Sequence, residues 1–184
     1  MPFTFKKTAI EGLFIIEPTY FGDDRGFFAE TYKKSDFIKN GIPYNFDQDN
    51  HSCSSKGVLR GLHYQAEPSV QGKLVRVIKG RVWDVAVDIR KNSPTFKQWI
   101  GVELSAENRK CFFIPPGFAH GFLCLEDDSH FIYKCTKEYD PQAERSIRWD
   151  DPDLAIAWPL DPSVVPQISE KDSKAKFLKE AELL

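Results

Sequence analysis

The sequence predicts an all-β domain, built as an antiparallel sandwich or barrel. Short alternating segments are separated by Gly and Pro, helical patterns are weak and peripheral, and no Gly-rich nucleotide-binding loop is present. A nucleotide, if one binds, must therefore be held by side chains. A chain of 184 residues without repeats or a Gly/Ser linker is predicted to form one domain, residues 1–184.

The segment 81–90 gives the clearest strand pattern, because apolar and polar residues alternate with a period of two. One predicted face carries Trp83, Val85, Val87 and Ile89. The other carries Asp84, Asp88 and Arg90. We expect a half-buried strand, joined through Lys79-Gly80 to the preceding run as a hairpin. Segment 130–136 alternates in the same way, with Phe131, Tyr133 and Cys135 on one face.

Two short helices are predicted at the periphery. The first covers 35–40, with Ser35 as N-cap and Gly41 just past the end. The second begins near Ser169, where S-x-x-D resembles a capping box and gives Asp172 a purely structural interpretation.

Charge and cysteine content exclude several classes of protein. The 25 basic and 27 acidic residues leave a net charge of −2, which gives no general attraction to nucleic acid or to an anionic membrane. The longest uncharged run, 111–125, is broken by Pro and Gly, and no secretory signal is visible at the N-terminus. Four cysteines without a CxxC pair are predicted to be reduced and mostly buried, in a cytoplasmic protein without a membrane partner.

Polar residues interrupt the apolar run 57–65. Arg60 and His63 lie three residues apart, and a buried Arg requires an anion. Simple alternation places them on opposite faces, but a bulge at Gly61 would turn both toward one cavity. The alternative for His63 is a hydrogen-bonded core histidine.

The run 113–122 contains P-x-G-x-x-H, which ends at His120. This motif is typical of the second half of the cupin jelly rolls. A metal-binding cupin also needs an H-x-H pair in its first half, where this chain has His63-Tyr64-Gln65. A set with two separated histidines and no carboxylate suits zinc or iron poorly, so no metal is predicted at this site.

From the residues alone, Tyr133 is either core or a proton donor. The His, Arg, Lys and Tyr of these segments indicate a barrel with a polar interior, suited to proton transfer or anion binding. The residue pattern alone does not choose between the two.

Taken together, these segments resemble the dTDP-4-dehydrorhamnose 3,5-epimerases. The resemblance rests on strings that run in order over nearly the whole chain: 24–30 (DRGFFAE), 48–50 (QDN), 57–63 (GVLRGLH), 72–77 (GKLVRV), 84–88 (DVAVD), 116–122 (PGFAHGF), 133–136 (YKCT), Asp151-Pro152, Trp158-Pro159 and 169–172 (SEKD). GVLRGLH is the most specific of them. One departure is Ser146, where the family pattern has Gly.

The resemblance implies a jelly-roll homodimer without a metal or organic cofactor, acting on dTDP-4-dehydro-6-deoxy-D-glucose at C3 and C5. It makes His63 the base that removes a proton beside the C4 ketone, with Asp172 orienting its ring. Lys73 is implied to stabilise the enolate and Tyr133 to return a proton on the opposite face.

The resemblance also implies a set of substrate-binding residues. Arg25 and Arg60 would contact the diphosphate, and His120 would lie beside the sugar. The others are Phe28, Glu30, Gln48, Asp49, Asn50, Glu144 and Lys171. A segment exchanged between subunits would let Arg25, Phe28 and Glu30 complete the partner's site.

Two alternatives remain open from the sequence. One is an epimerase that inverts only C3, or a ketoisomerase of another deoxysugar pathway. The other is a non-catalytic cupin that binds a nucleotide sugar, which the joint presence of His63, Lys73, Tyr133 and Asp172 argues against.

Overall fold

The computed structural model describes residues 2–161 and 164–184, which form two packed antiparallel sheets and a projecting hairpin. The strands are β1 (Phe3–Lys7), β2 (Phe14–Pro18), β3 (Tyr20–Asp23), β4 (Gly26–Ala29), β5 (Gln48–Ser54), β6 (Leu59–Gln65), β7 (Lys73–Lys79), β8 (Arg81–Asp88), β9 (Trp99–Ser105), β10 (Cys111–Ile114), β11 (Phe118–Cys124), β12 (Ser129–Cys135) and β13 (Glu144–Ser146). The helices are α1 (Lys34–Lys39), α2 (Glu170–Ser173) and a 3₁₀ turn (Leu178–Glu180). The predicted all-β jelly roll of the cupin type is confirmed.

The two sheets enclose the main core. One sheet has the order β1-β2-β10-β7-β12-β5 and the other β13-β6-β11-β8-β9. Val75, Val82, Phe112, Phe122 and Phe131 pack between them. Part of each outer face is also covered by chain, one by α1 and its flanking residues and the other by the C-terminal segment. Burial on both faces gives this small domain more apolar contact than a single sandwich layer would.

Strand β8 is therefore buried on both faces, and the prediction of a half-buried strand was wrong. Val85 and Val87 contact the C-terminal segment, while Val82 and Ala86 point into the main core. Asp84 lies on that inner face and is fully buried. Its carboxylate is an interior group rather than a solvated one.

The predicted hairpin at Lys79-Gly80 was also wrong. Strand β7 pairs with β10 and β12, whereas β8 pairs with β9 and β11 in the opposite sheet. Gly80, with φ +75°, marks the corner where the chain crosses between the sheets. A Cβ there would lie 2.9 Å from the Ser129 Cα, which only glycine avoids.

Helix α1 begins one residue earlier than predicted, and Ser35 is not its N-cap. Lys33 occupies that position without a side-chain cap, and its carbonyl accepts from the Asp36 and Phe37 amides. Gly41, with φ +89°, follows the helix as expected. Ser169 does cap α2, since its hydroxyl accepts from the Asp172 amide at 3.0 Å.

The four cysteines are free, with Cys53 exposed and Cys111, Cys124 and Cys135 buried, as predicted. Among the helices described, none has the length and apolar character that a membrane crossing requires.

Candidate active site

His63 and Asp172 form a hydrogen-bonded pair between β6 and α2. His63 Nε2 lies 2.6 Å from Asp172 Oδ1, and the Gly61 amide donates to Asp172 Oδ2 at 3.3 Å. Burial raises the pKa of Asp172, but these hydrogen bonds outweigh it and hold the pKa below its ordinary value. Because an ionised carboxylate only accepts, His63 Nε2 carries the proton of this hydrogen bond, and Nδ1 is the ring nitrogen that can act as a base. Asp172 thereby fixes the orientation of the His63 ring, which makes His63 a candidate base.

Gly61 turns Arg60 and His63 toward one side of β6. Its φ is +126°, and the register with β11 shifts between His120 and Phe122. A Cβ on Gly61 would lie 2.6 Å from the Gly121 Cα, so the close approach of the two strands requires glycine. Arg60 and His63 line a common hollow of about 280 Å³. The expected convergence at this glycine is confirmed.

Arg60 has a guanidinium without a carboxylate partner. Its Nε and Nη2 both donate to Ser54 Oγ at 3.2 Å. Across residues 2–161 and 164–184, no carboxylate oxygen lies within ion-pair distance of this group. Arg60 is exposed, because Gly61 turns it toward the hollow rather than into the core, so the expectation of a buried Arg was wrong. Its donors remain suited to an anionic ligand.

Lys73 and Tyr133 line a second hollow, of about 240 Å³, and His63 lines this one as well. Lys73 Nζ lies 6.0 Å from the centre of the Tyr133 ring. Burial lowers the pKa of Lys73, and burial raises that of Tyr133, so the phenol keeps its proton at neutral pH. The hollow thus joins an imidazole, an amine and a protonated hydroxyl.

A second His–Asp pair lies behind the first. His120 faces His63 across β6 and β11, and its Nε2 lies 2.9 Å from Asp84 Oδ2. Both side chains are buried. Burial lowers the pKa of His120, with Asp84 opposing that effect, so the ring is held neutral. Asp84 was placed on a polar face by the sequence; the His-Asp pairing is visible only from the strand register.

The other side of the hollow is a polar network. Lys171 Nζ pairs with Glu144 Oε2, and the Tyr139 hydroxyl donates to the same oxygen at 2.6 Å. Gln48 Nε2 donates to Asn50 Oδ1 at 2.9 Å, and Gln48 Oε1 accepts from the Tyr139 amide. Tyr139 is a member that sequence reasoning missed, since it lies in a loop without a pattern.

The Gln65 amide, at the position where metal-binding cupins carry a second His, is occupied by structural contacts. Its Nε2 donates to the Ser69 and Glu138 carbonyls, and its Oε1 accepts from the Asp140 amide. The Nε2 atoms of His63 and His120 are each bound to a carboxylate. These contacts leave a poor donor set for a metal, and the absence of one stays a prediction.

Four predicted substrate-binding residues are not brought to this site within one chain. Arg25 and Phe28 lie on the exposed β3–β4 hairpin, where Arg25 pairs with Asp23, and Glu30 follows the hairpin. Asp49 lies on the outer face of β5, opposite to Asn50, and pairs with Lys134 at 2.8 Å. Strict alternation along β5 separates Asp49 from its two neighbours in sequence.

Comparison with known proteins identifies the family to which this chain is similar. Residues 7–180 match the family model described as dTDP-4-dehydrorhamnose 3,5-epimerase. The chain belongs to this family. The epimerase of Methanothermobacter thermautotrophicus is 54% identical, covering 97% of this chain and 96% of the relative. That of Salmonella typhimurium is 53% identical, covering 95% of each.

Solved structures of the family share the fold. The epimerase of Legionella pneumophila, in complex with dTDP-4-keto-L-rhamnose, has a TM-score of 0.92 at 53% identity, over 97% of this chain and 94% of that one. A 3'-monoepimerase of Streptomyces bikiniensis, in complex with dTDP-quinovose, has a TM-score of 0.86 at 35% identity, over 94% and 86%. Ser146, the departure from the family pattern, lies directly opposite His63 in the β6–β13 register.

Proposed function

We propose that this chain epimerises dTDP-4-dehydro-6-deoxy-D-glucose at C3 and C5, giving dTDP-4-dehydro-6-deoxy-L-mannose. The observation that carries the proposal is the His63–Asp172 pair, which orients His63 as a base in the hollow that Lys73 and Tyr133 also line. Membership of the family supplies the substrate.

Proton removal falls to His63. Hydrogens beside the C4 ketone are weakly acidic, and a base within hydrogen-bond reach can remove one. His63 Nδ1 takes the proton, and the imidazolium that forms is stabilised by the ionised Asp172 at 2.6 Å. The same pair serves both carbons, which flank the same ketone.

The enolate needs positive charge near its oxygen. Lys73 is the cation of the hollow that contains His63, and its partly buried position strengthens its interaction with a developing anion. Neutral His120, fixed by Asp84, adds a polar ring beside the sugar without adding a competing charge.

Inversion requires a proton from the opposite face. Tyr133 reaches the hollow from β12, in the sheet opposite to β6, which carries His63. Its raised pKa keeps the hydroxyl protonated and ready to donate to the carbanion. We assign the second proton transfer to Tyr133.

Arg60 is assigned to the diphosphate. Arg60→Ala should weaken dTDP binding by about 2–5 kcal/mol, because a desolvated phosphate would lose its charged partner. Titration calorimetry with dTDP measures this, with Arg81→Ala, a half-buried Arg paired to Glu126, as the matched control. An unchanged affinity would assign Arg60 to structure.

We propose a homodimer in which the β3–β4 hairpin reaches the second copy. Phe21, Phe27 and Phe28 are 58%, 64% and 66% exposed. Three exposed aromatic rings on one hairpin form an apolar patch of the kind that marks a protein–protein contact. The hairpin pairs with no other strand among the described residues. A second copy would bury these rings and bring Arg25 and Glu30 to its pocket.

Mixed dimers test this arrangement. His63→Ala and Arg25→Ala chains, each nearly inactive alone, should regain up to about half of the wild-type activity per mixed dimer. In a mixed dimer the Arg25→Ala chain keeps His63 and receives Arg25 from its partner, which rebuilds one site. If mixing restores nothing, Arg25 does not act across the dimer.

We also propose a cytoplasmic location. The four free thiols support it, since a reducing compartment keeps such residues unpaired.

One alternative is supported by a specific observation. The 3'-monoepimerase of Streptomyces bikiniensis shares this fold, so inversion at C3 alone is compatible with the same barrel. NMR of the product distinguishes the two activities. We expect inverted configuration at both C3 and C5; a product inverted only at C3 would favour the alternative.

A further inference from the structure

A cluster of metal-ligating side chains lies on the outer face of the sheet, away from the pocket. Cys53, Asp128 and His130 place one ligand atom each within 4.8 Å of one another. Gln48 and Asn50 point toward the pocket, and strand alternation turns His51 and Cys53 to the opposite side. The cluster is thus separate from the catalytic groups.

Strand register fixes two of the three ligands. His130 is the direct partner of Cys53 in the β5–β12 ladder, and Asp128 immediately precedes β12. His130 Nε2 lies 3.1 Å from Asp128 Oδ1, and Cys53 Sγ lies 3.2 Å from the same oxygen. Ligand atoms around a tetrahedral zinc ion are about 3.3–3.5 Å apart, given bonds of about 2.0–2.3 Å. The two distances to Asp128 Oδ1 are close to that separation, and the ligand atoms of Cys53 and His130 lie within 4.8 Å of each other.

A fourth residue orients the histidine. His51 Nε2 lies 2.9 Å from His130 Nδ1, so His130 can donate from Nδ1 to the lone pair of His51. In the metal-free chain His130 Nε2 faces Asp128 Oδ1, and a bound ion would take the place of that hydrogen bond. The Nδ1 donor to His51 would then hold the ring, the arrangement that usually supports a metal-bound imidazole. Lys79 holds the other oxygen of Asp128, which keeps Oδ1 directed at the cluster.

We propose that Cys53, Asp128 and His130 form a binding site for a divalent transition metal such as zinc. Thiolate, imidazole and carboxylate together select zinc-like ions over magnesium or calcium. Binding forms a metal–sulfur bond and releases the Cys53 proton to solvent. Water completes the fourth position. The ion would tie the edge strand β5 to β12.

Cobalt(II) is the direct probe, because a cobalt–thiolate bond gives a charge-transfer band in the near ultraviolet. We expect wild-type protein to take up one cobalt per chain with this band, and zinc to displace it. Cys53→Ser should abolish the band. Asp128→Asn should weaken binding, while Asp127→Asn, the matched control, should not, since Asn still accepts from the Lys56 amide. His51→Ala should lower affinity by about 10–100-fold.

Thermal unfolding gives a second readout. Zinc should raise the Tm of the wild type but not that of Cys53→Ser. The proposal is overturned if cobalt gives no thiolate band, or if the band persists in Cys53→Ser, which would assign it to another cysteine.

Discussion

His63→Ala should abolish solvent exchange at both C3 and C5 of the substrate. Without the imidazole no group removes either proton, and no enolate forms. Loss of a general base typically costs about 10²–10⁴-fold in rate, and loss of the first step for both carbons places the variant at the upper end of that range. Deuterium uptake from solvent, read by NMR on the 4-keto sugar, measures the effect.

A second histidine variant distinguishes loss of the base from a general effect of replacing a histidine. His130→Ala, assayed in metal-free buffer so that the proposed metal site plays no part, removes an imidazole from the outer face of β12 and should leave exchange unchanged. Binding of dTDP by His63→Ala should persist, because Arg60 remains. Exchange at C3 or C5 at the wild-type rate in His63→Ala would show that another group is the base.

Tyr133→Phe should separate exchange from inversion. The ring still packs against Phe131, so only the hydroxyl is lost. His63 can still remove a proton and return it to the same face. Exchange should therefore persist, most visibly at C5, while formation of the inverted product falls by about 10²–10⁴-fold. Product analysis by NMR, alongside deuterium uptake, measures both.

The control is Tyr44→Phe, whose ring packs near Phe113 on the outer face of the sheet. It should invert and exchange at the wild-type rate. Product formation by Tyr133→Phe at the wild-type rate would return Tyr133 to a packing role and leave the acid unassigned.

Local sequence pattern predicted the strands well, because period-two alternation depends only on neighbouring residues. The pattern placed Phe131 and Tyr133 on one face, and in the structure both side chains pack in or against the main core. It also predicted that Gly61 would let Arg60 and His63 converge, since a glycine in a strand marks a bulge or a close approach.

Features that depend on residues distant in the sequence could not be predicted from local pattern. The crossing at Gly80 was mistaken for a hairpin because only long-range pairing decides which sheet a strand joins. Asp84 was placed on a solvated face because nothing in β8 itself indicates His120 as its partner. The cluster at Cys53 and His130 likewise arises from cross-strand register.

The resemblance to the family supplied the roles that residue chemistry alone left open. Asp172 had a structural interpretation as part of a capping box, and in the structure it makes both the capping contact and a contact to His63. Its amide is capped by Ser169, while its carboxylate binds His63. One residue can serve two purposes because backbone and side chain point to different partners.

Every role assigned to these residues depends on this chain inverting two carbons, C3 and C5, around a single ketone. Incubation of the wild-type protein with dTDP-4-dehydro-6-deoxy-D-glucose in D₂O tests it most directly, with NMR following C3 and C5. We expect deuterium at both carbons of a product inverted at both. Deuterium at C3 alone, or at neither carbon, would contradict it.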